Sequence, residues 1–257
     1  MKPLMLSLLF LSFSGFKTVP LTVGSADSTL SDNRIIKSEV LGYDLQYRVY
    51  LPPNYEQLND LSVIYLADGQ WYISEGDMPN IMDELISKKQ IKPLIAVFID
   101  NRDPHNLSNN RRNSQFLCNE KYVQFAANEL VPHIDKTYKT AARADARAIM
   151  GLSFGGLNAA YFGLKANDTF GKTGMQSPAL HPCPSVYTAY QKKEILPLQI
   201  YLSTGSSNDT EVGTRKLKRI LDAKGYDFEY KEVNQGHNWS NWKPLIDDVL
   251  IYFFNSR

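Results

Sequence analysis

The sequence is short of the residues that metal sites and nucleic-acid surfaces need. It holds only 2 cysteines and 4 histidines in 257 residues. Their spacing matches no zinc template, which disfavours a metallohydrolase and calls for no metal or organic cofactor. No charge sign dominates: 28 basic and 27 acidic side chains leave a net +1. That balance, spread along the chain, lacks the concentrated basic surface of a nucleic-acid binder. Beyond the first twenty positions no apolar run reaches the roughly 18 residues that a membrane-spanning helix requires. Internal repeats, low-complexity segments and a linker-like middle are also absent. What is present is core material, 43% apolar and 12% aromatic, which excludes general disorder and suits one large domain or two small ones.

The N-terminus is of a different material. Lys2 precedes an apolar stretch over residues 4–16, long enough for the core of an export signal but short for a spanning helix. Gly24-Ser25-Ala26 supplies small residues for a peptidase. We therefore expect a signal peptide over 1–26, a single domain over 27–257, and a periplasmic or secreted location. Export would carry Cys118 and Cys183 into an oxidising compartment, where they either pair or remain two small buried side chains. Asn-x-Ser/Thr acceptors occur at Asn106, Asn167, Asn208 and Asn238. The last two adjoin candidate catalytic residues, where a glycan would block a cleft, which favours a host that does not glycosylate them.

Residues 35–40 and 44–51 read as two strands joined at Gly42-Tyr43, an antiparallel start. The runs 62–66, 94–99, 146–150 and 198–203 are short, apolar and bounded, as in buried parallel strands. Helical spacing covers 120–138, with Pro132 expected to kink or restart it. It also covers 212–224, stopped by Gly225, and 244–254, opened by Pro244. This alternation predicts an α/β fold with a mostly parallel central sheet, antiparallel N-terminal strands and helices on both faces.

Chemistry is carried first by Gly151-Leu152-Ser153-Phe154-Gly155. It lies between an apolar strand and a helix-prone run, where a sharp turn lifts the serine hydroxyl above the sheet edge. Phe154 then starts a helix, and its free N–H is placed to hold an oxyanion. A serine needs a base. Of the histidines, His237 follows the expected last strand, 228–233, on the same sheet edge as Ser153. His133 sits in a helical pattern, while His105 and His181 are on loops that could border a cleft. The acid that orients the imidazole should fall between serine and histidine in the chain. Asp209 does so, with Glu211 as the alternative and helix capping as a competing role for Asp209. The loop after 62–66, Ala67-Asp68-Gly69-Gln70, offers the N–H of Gln70 as a second oxyanion donor.

Together, Arg48-Val49-Tyr50-Leu51-Pro52-Pro53, Tyr65-Leu66-Ala67-Asp68-Gly69-Gln70, the segment 151–156 and Gly236-His237-Asn238-Trp239 resemble the esterase-D-type α/β hydrolases. That family includes siderophore, feruloyl and acetyl-xylan esterases. The resemblance covers about residues 34–257. Trp71, Ser153–Leu157, Trp239 and Trp242 are most similar to the exported, single-domain siderophore-esterase branch. It implies the α/β-hydrolase fold and a Ser-His-Asp acyl-enzyme mechanism on a small-molecule ester, without cofactor. It also implies a substrate site including Trp71, Trp239 and Arg112 (or Arg111), whose guanidinium would hold an anionic or catecholate group. The alternatives are a carbohydrate esterase, an acyltransferase, or a ligand-binding relative without activity. The family leads one to expect a more aromatic segment than Gln176-Ser177-Pro178-Ala179-Leu180-His181. Oligomeric state is left open.

Overall fold

The computed structural model describes residues 27–192 and 194–256; the export signal expected over 1–26 lies outside them. Eleven strands are seen among these residues: β1 (Thr29–Leu30), β2 (Arg34–Ser38), β3 (Tyr43–Leu51), β4 (Ser62–Leu66), β5 (Leu94–Asp100), β6 (Arg102–Asp103), β7 (Asn106–Asn110), β8 (Arg147–Leu152), β9 (Lys172–Gln176), β10 (Gln199–Gly205) and β11 (Asp227–Val233). Nine of them form one sheet in the order β1-β3-β5-β4-β8-β9-β10-β11, with β2 also on β3, while β6 and β7 make a separate hairpin. β1, β2 and β5 each pair antiparallel with β3. From β5 to β11 every pairing is parallel. The expected sheet is therefore present, antiparallel at its N-terminal side and parallel elsewhere.

Side-chain alternation along each strand splits the core into two layers. In β4, Val63 and Tyr65 join one apolar cluster and Ile64 and Leu66 the other. In β5, Ile95, Val97 and Ile99 face the first cluster, and Leu94, Ala96 and Phe98 the second. The first is closed by Leu157 and Phe162 of the helix Phe154–Lys165 and by Leu217 and Leu221 of Glu211–Lys224. The second is closed by Met78, Met82 and Leu85 of Met78–Ser87 and by Val249 and Leu250 of Ile246–Phe254. Each such fully buried side chain stabilises by about 1.5–3 kcal/mol before entropy is charged against it.

The long helical pattern over 120–138 is realised as Glu120–Phe125, a π-helical turn Ala126–Leu130, and Val131–Thr137 with Pro132 in its first turn. Pro132 lacks the N–H that an unbroken ladder would use, so the widened turn before it absorbs the change without ending the helix. Gly225 ends Glu211–Lys224 in the left-handed region at φ 77°, as a glycine stop requires.

Cys118 and Cys183 are bonded to each other, with Cα atoms 6.5 Å apart and 65 positions between them in sequence. The closed loop contains β8, the helix Phe154–Lys165 and β9. Constraining a loop of this length in the unfolded chain is worth about 4 kcal/mol. A Cys118→Ser/Cys183→Ser double variant should therefore unfold at markedly lower urea than the parent. Equal midpoints would show that the crosslink adds nothing.

Candidate active site

Ser153 stands between the end of β8 at Leu152 and the helix Phe154–Lys165. Its backbone is at φ 57°, ψ −118°, a region that costs a non-glycine residue about 1–3 kcal/mol. Two features hold it there. A Cβ on Gly151 would lie 2.4 Å from the backbone of Gly155, so only glycine lets the helix fold back this closely on the strand. The Ser153 N–H also donates to the Gln176 carbonyl at 2.9 Å, and the Ser153 carbonyl accepts from Leu157 and Ala179 at 3.1 and 3.0 Å. The end of β9 and the segment after it, less aromatic than the family resemblance leads one to expect, brace this turn through backbone bonds.

Above the turn, the Ser153 hydroxyl lies 2.9 Å from His237 Nε2, and His237 Nδ1 lies 2.5 Å from Asp209 Oδ1. The Asp209 side chain is fully covered. Its other oxygen accepts from the Ser177 hydroxyl at 2.6 Å, the Asn241 amide at 2.9 Å, the Thr204 hydroxyl at 3.1 Å and the Gly205 backbone N–H. Burial opposes its ionisation, but hydrogen bonds from His237, Ser177 and the amides of Gly205 and Thr210 together outweigh that and hold the carboxyl well below its ordinary 3.8. An ionised Asp209 can only accept, so Nδ1 carries the imidazole proton and Nε2 is left to accept from serine. Glu211 points elsewhere: its carboxylate accepts the Asp209 N–H at 3.0 Å. His105 binds Asp44 and His133 binds Tyr47, while His181 packs its ring on Phe154.

The two expected oxyanion donors both fall in the first turns of helices. Phe154 is the first residue of Phe154–Lys165 and Gln70 the second of Gly69–Ser74. N–H groups there have no carbonyl within their own helix to bind. The Asp68-Gly69 step is thus a helix start, entered through Asp68 at φ 60°. The Gln70 side chain donates to Asn101 at 3.2 Å.

Ser153 and His237 open onto a cleft of about 300 Å³. Its walls are Trp71, Trp239 and Trp242, the 3 tryptophans of the chain. Trp242 stands edge-on to the His237 ring, 4.9 Å between centroids, and its indole N–H donates to Ser177 at 2.9 Å. Arg112 also borders the cleft, but its Nε and Nη2 are engaged. Nε binds both Asp68 oxygens at 2.8 and 2.9 Å, and Nη2 binds Asp68 Oδ2 at 2.8 Å and the Leu152 carbonyl at 3.2 Å. Three donor contacts onto two facing oxygens are the geometry of an ionised pair, and Asp68 is wholly buried beneath it. Arg112 therefore ties the turn of β4 to the end of β8, and its charge is already answered. Arg111 donates to Asp103 and to the Asp44 carbonyl. Ser177, Asn241, Asp68 and the cleft carboxylate Glu75 were not singled out from sequence. Only the proximity of Asn241 and Trp242 to His237 could have suggested any of this network.

The family model for Esterase matches residues 38–253. The chain belongs to the Esterase family. It is 30% identical over 241 residues to the uncharacterized protein YjcH of Bacillus subtilis (strain 168), covering 87% of this chain and 97% of that one. It is 28% identical over 232 residues to an endo-1,4-beta-xylanase/feruloyl esterase of Xylanibacter ruminicola, covering 84% of this chain but 30% of that longer protein. Among solved structures, the enterobactin esterase of Shigella flexneri in the presence of enterobactin superposes with a TM-score of 0.78 at 22% identity. The match spans 90% of this chain and 61% of that one, a likeness of fold. This esterase is thus built on the α/β-hydrolase fold. Among the described residues no helix is long and apolar enough to cross a membrane.

Two consequences are measurable. Replacing Arg112 by Met strands a buried carboxylate, so stability should fall by about 3–5 kcal/mol in urea unfolding; a change under 1 kcal/mol would refute the pairing. Because the Asp209 carboxyl is held low in the fold, its contribution is full above its ordinary value and is lost as pH falls toward the folded one. The stability gap between the parent esterase and Asp209→Asn should therefore narrow from pH 5 to pH 2, whereas a gap independent of pH would contradict the depressed carboxyl.

Proposed function

We propose that this esterase works through a serine acyl-enzyme, with Ser153 as nucleophile, His237 as general base and acid, and Asp209 as the orienting carboxylate. The observation that carries the reading is the hydrogen-bonded chain from the Ser153 hydroxyl through both His237 nitrogens to Asp209. As Ser153 attacks an ester carbonyl, His237 Nε2 takes its proton, and the buried negative charge of Asp209 stabilises the imidazolium. The N–H groups of Phe154 and Gln70 hold the oxyanion, each such donor being worth about 3 kcal/mol of barrier. His237 then protonates the leaving alcohol, and water, activated by the same imidazole, releases the acid and restores the serine. Trp71 and Trp239 flank the substrate, while Arg112 positions the floor of the site rather than gripping an anion.

Two ester classes follow from the relatives: hydroxycinnamoyl esters of sugars, as the Xylanibacter name implies, and siderophore-type lactones, as the Shigella structure suggests. We further propose export of the mature chain from residue 27 as a single domain. The Cys118–Cys183 bond supports it, since such crosslinks persist in oxidising compartments.

A fluorophosphonate probe should label the parent protein and not Ser153→Ala; equal labelling of both removes the mechanism. Asp209→Asn should fold but lose roughly 10³–10⁴ in kcat on short p-nitrophenyl esters. Retention of more than a tenth of the activity would give the orienting role to another group. Hydrolysis is separated from acyl transfer by adding an acceptor alcohol: unchanged acid release indicates water as the acceptor.

A further inference from the structure

The charges around the cleft do not favour an anion. Arg112 is the arginine that borders it, its Nε and Nη2 are taken by buried Asp68 and the Leu152 carbonyl, and its charge is balanced by the Asp68 carboxylate. Lys243, next in sequence to Trp242, lies 3.8 Å from Asp77. Glu75 also lines the cleft, exposed, immediately after the helix Gly69–Ser74 that carries Trp71. Among the described residues no ion pair or side-chain hydrogen bond engages its carboxylate. Its position at a helix C-terminus is also where a negative charge is locally disfavoured, so nothing in the fold accounts for an acid there. The unanswered charge of the cleft is negative, and it lines the same cleft as the three indole rings.

We propose that Glu75 is a specificity-determining residue that makes this tryptophan-lined cleft a subsite for a flat aryl or glycosyl group that is uncharged or cationic. Its carboxylate would accept from a hydroxyl or ammonium on that group and repel carboxylates, phenolates and polyanionic iron complexes. Indole faces bind flat rings and polarised C–H faces, and a cation gains further from the ring quadrupole. An anion gains from neither and is repelled by the like charge of Glu75. The proposal rests on the serine-esterase reading above and selects, within it, neutral hydroxycinnamoyl or sugar esters over ferric triscatecholate lactones.

The test uses the full chain and two series whose para substituent sets the charge, read as ratios between variants so that the intrinsic reactivity of each ester cancels. One is methyl cinnamates bearing para hydroxyl, carboxylate or trimethylammonium groups. The other is benzyl acetates with the same substituents, so that the acyl and the alcohol half are each probed. For each substrate kcat/KM is measured for the parent, for Glu75→Gln and for Glu75→Lys. In at least one series the anionic-to-neutral ratio should rise about two- to tenfold in Glu75→Gln and further in Glu75→Lys. The cationic-to-neutral ratio should fall in the same order, and both shifts should shrink in 0.5 M salt. A factor common to all three charges in both series, whatever its size, would overturn the proposal while leaving the esterase reading intact. Absence of any Ser153-dependent turnover by the parent would instead defeat the esterase reading. Far-UV dichroism of the variants separates a charge effect from loss of fold.

Discussion

The active site hangs on one strained residue. Ser153 occupies a backbone region that an L-residue leaves unless it is held, and the clamp comes from both flanking strand ends. Gly151 and Gly155 bring strand and helix into contact below it. Gln176 and Ala179 fix its N–H and carbonyl from the β9 side. Because β8 lies between β4 and β9 in the sheet, the turn is gripped by neighbours whose own positions are set by two buried layers of core. The strain is thus sustained by the whole sheet and not by local bonds alone. The same turn leaves the first N–H groups of the following helix unpaired, which is what an oxyanion needs.

A second layer of order surrounds the imidazole. His237 bonds Asp209, Asp209 accepts from Ser177, Ser177 accepts from the Trp242 indole, and the Trp242 ring packs edge-on against His237. These contacts close a ring. Rotating any one member breaks bonds to two others, so the loops after β9, β10 and β11 are locked to each other at the carboxyl edge of the sheet. Asp209 gains four further donors in this arrangement, enough to offset the cost of burying its charge.

Much of this was legible in the residues, for physical reasons that can be named. β4 was read with its observed bounds because it is buried on both faces and so reads as one apolar run between polar boundaries. The Ser, His and Asp that the structure brings together were chosen because chain order and loop position in an open α/β sheet restrict the choices. β9 carries no such run: Lys-Thr-Gly-Met-Gln hides Thr173 and Gln176 in the interior. Gln176 is tolerable there because Tyr72 and the Trp242 carbonyl satisfy its side chain, which no local pattern reveals. The hairpin β6–β7 is polar apart from Leu107 and its second strand is fully exposed, so it has no hydrophobic periodicity to read. Arg112 was placed at the substrate site because it matches, by position, an arginine of the siderophore-esterase branch that the chain resembles. Its partner, Asp68, lies 44 positions away and could be supplied only by the fold.

That reassignment changes what the cleft is. An arginine available to ligand would make a site for anions; an arginine paired with a buried carboxylate makes a rigid, electrically neutral floor beneath Ser153. The walls then decide what binds, and they are aromatic. Trp242 serves both parts at once, since it lines the cleft and also donates to the serine that holds Asp209. A ligand pressing on that indole therefore acts on the hydrogen bonds that set the imidazole, so binding and catalytic geometry share a residue. Shape at this wall consequently bears on kcat as well as on KM, because a group that tilts the indole also withdraws a donor from Ser177.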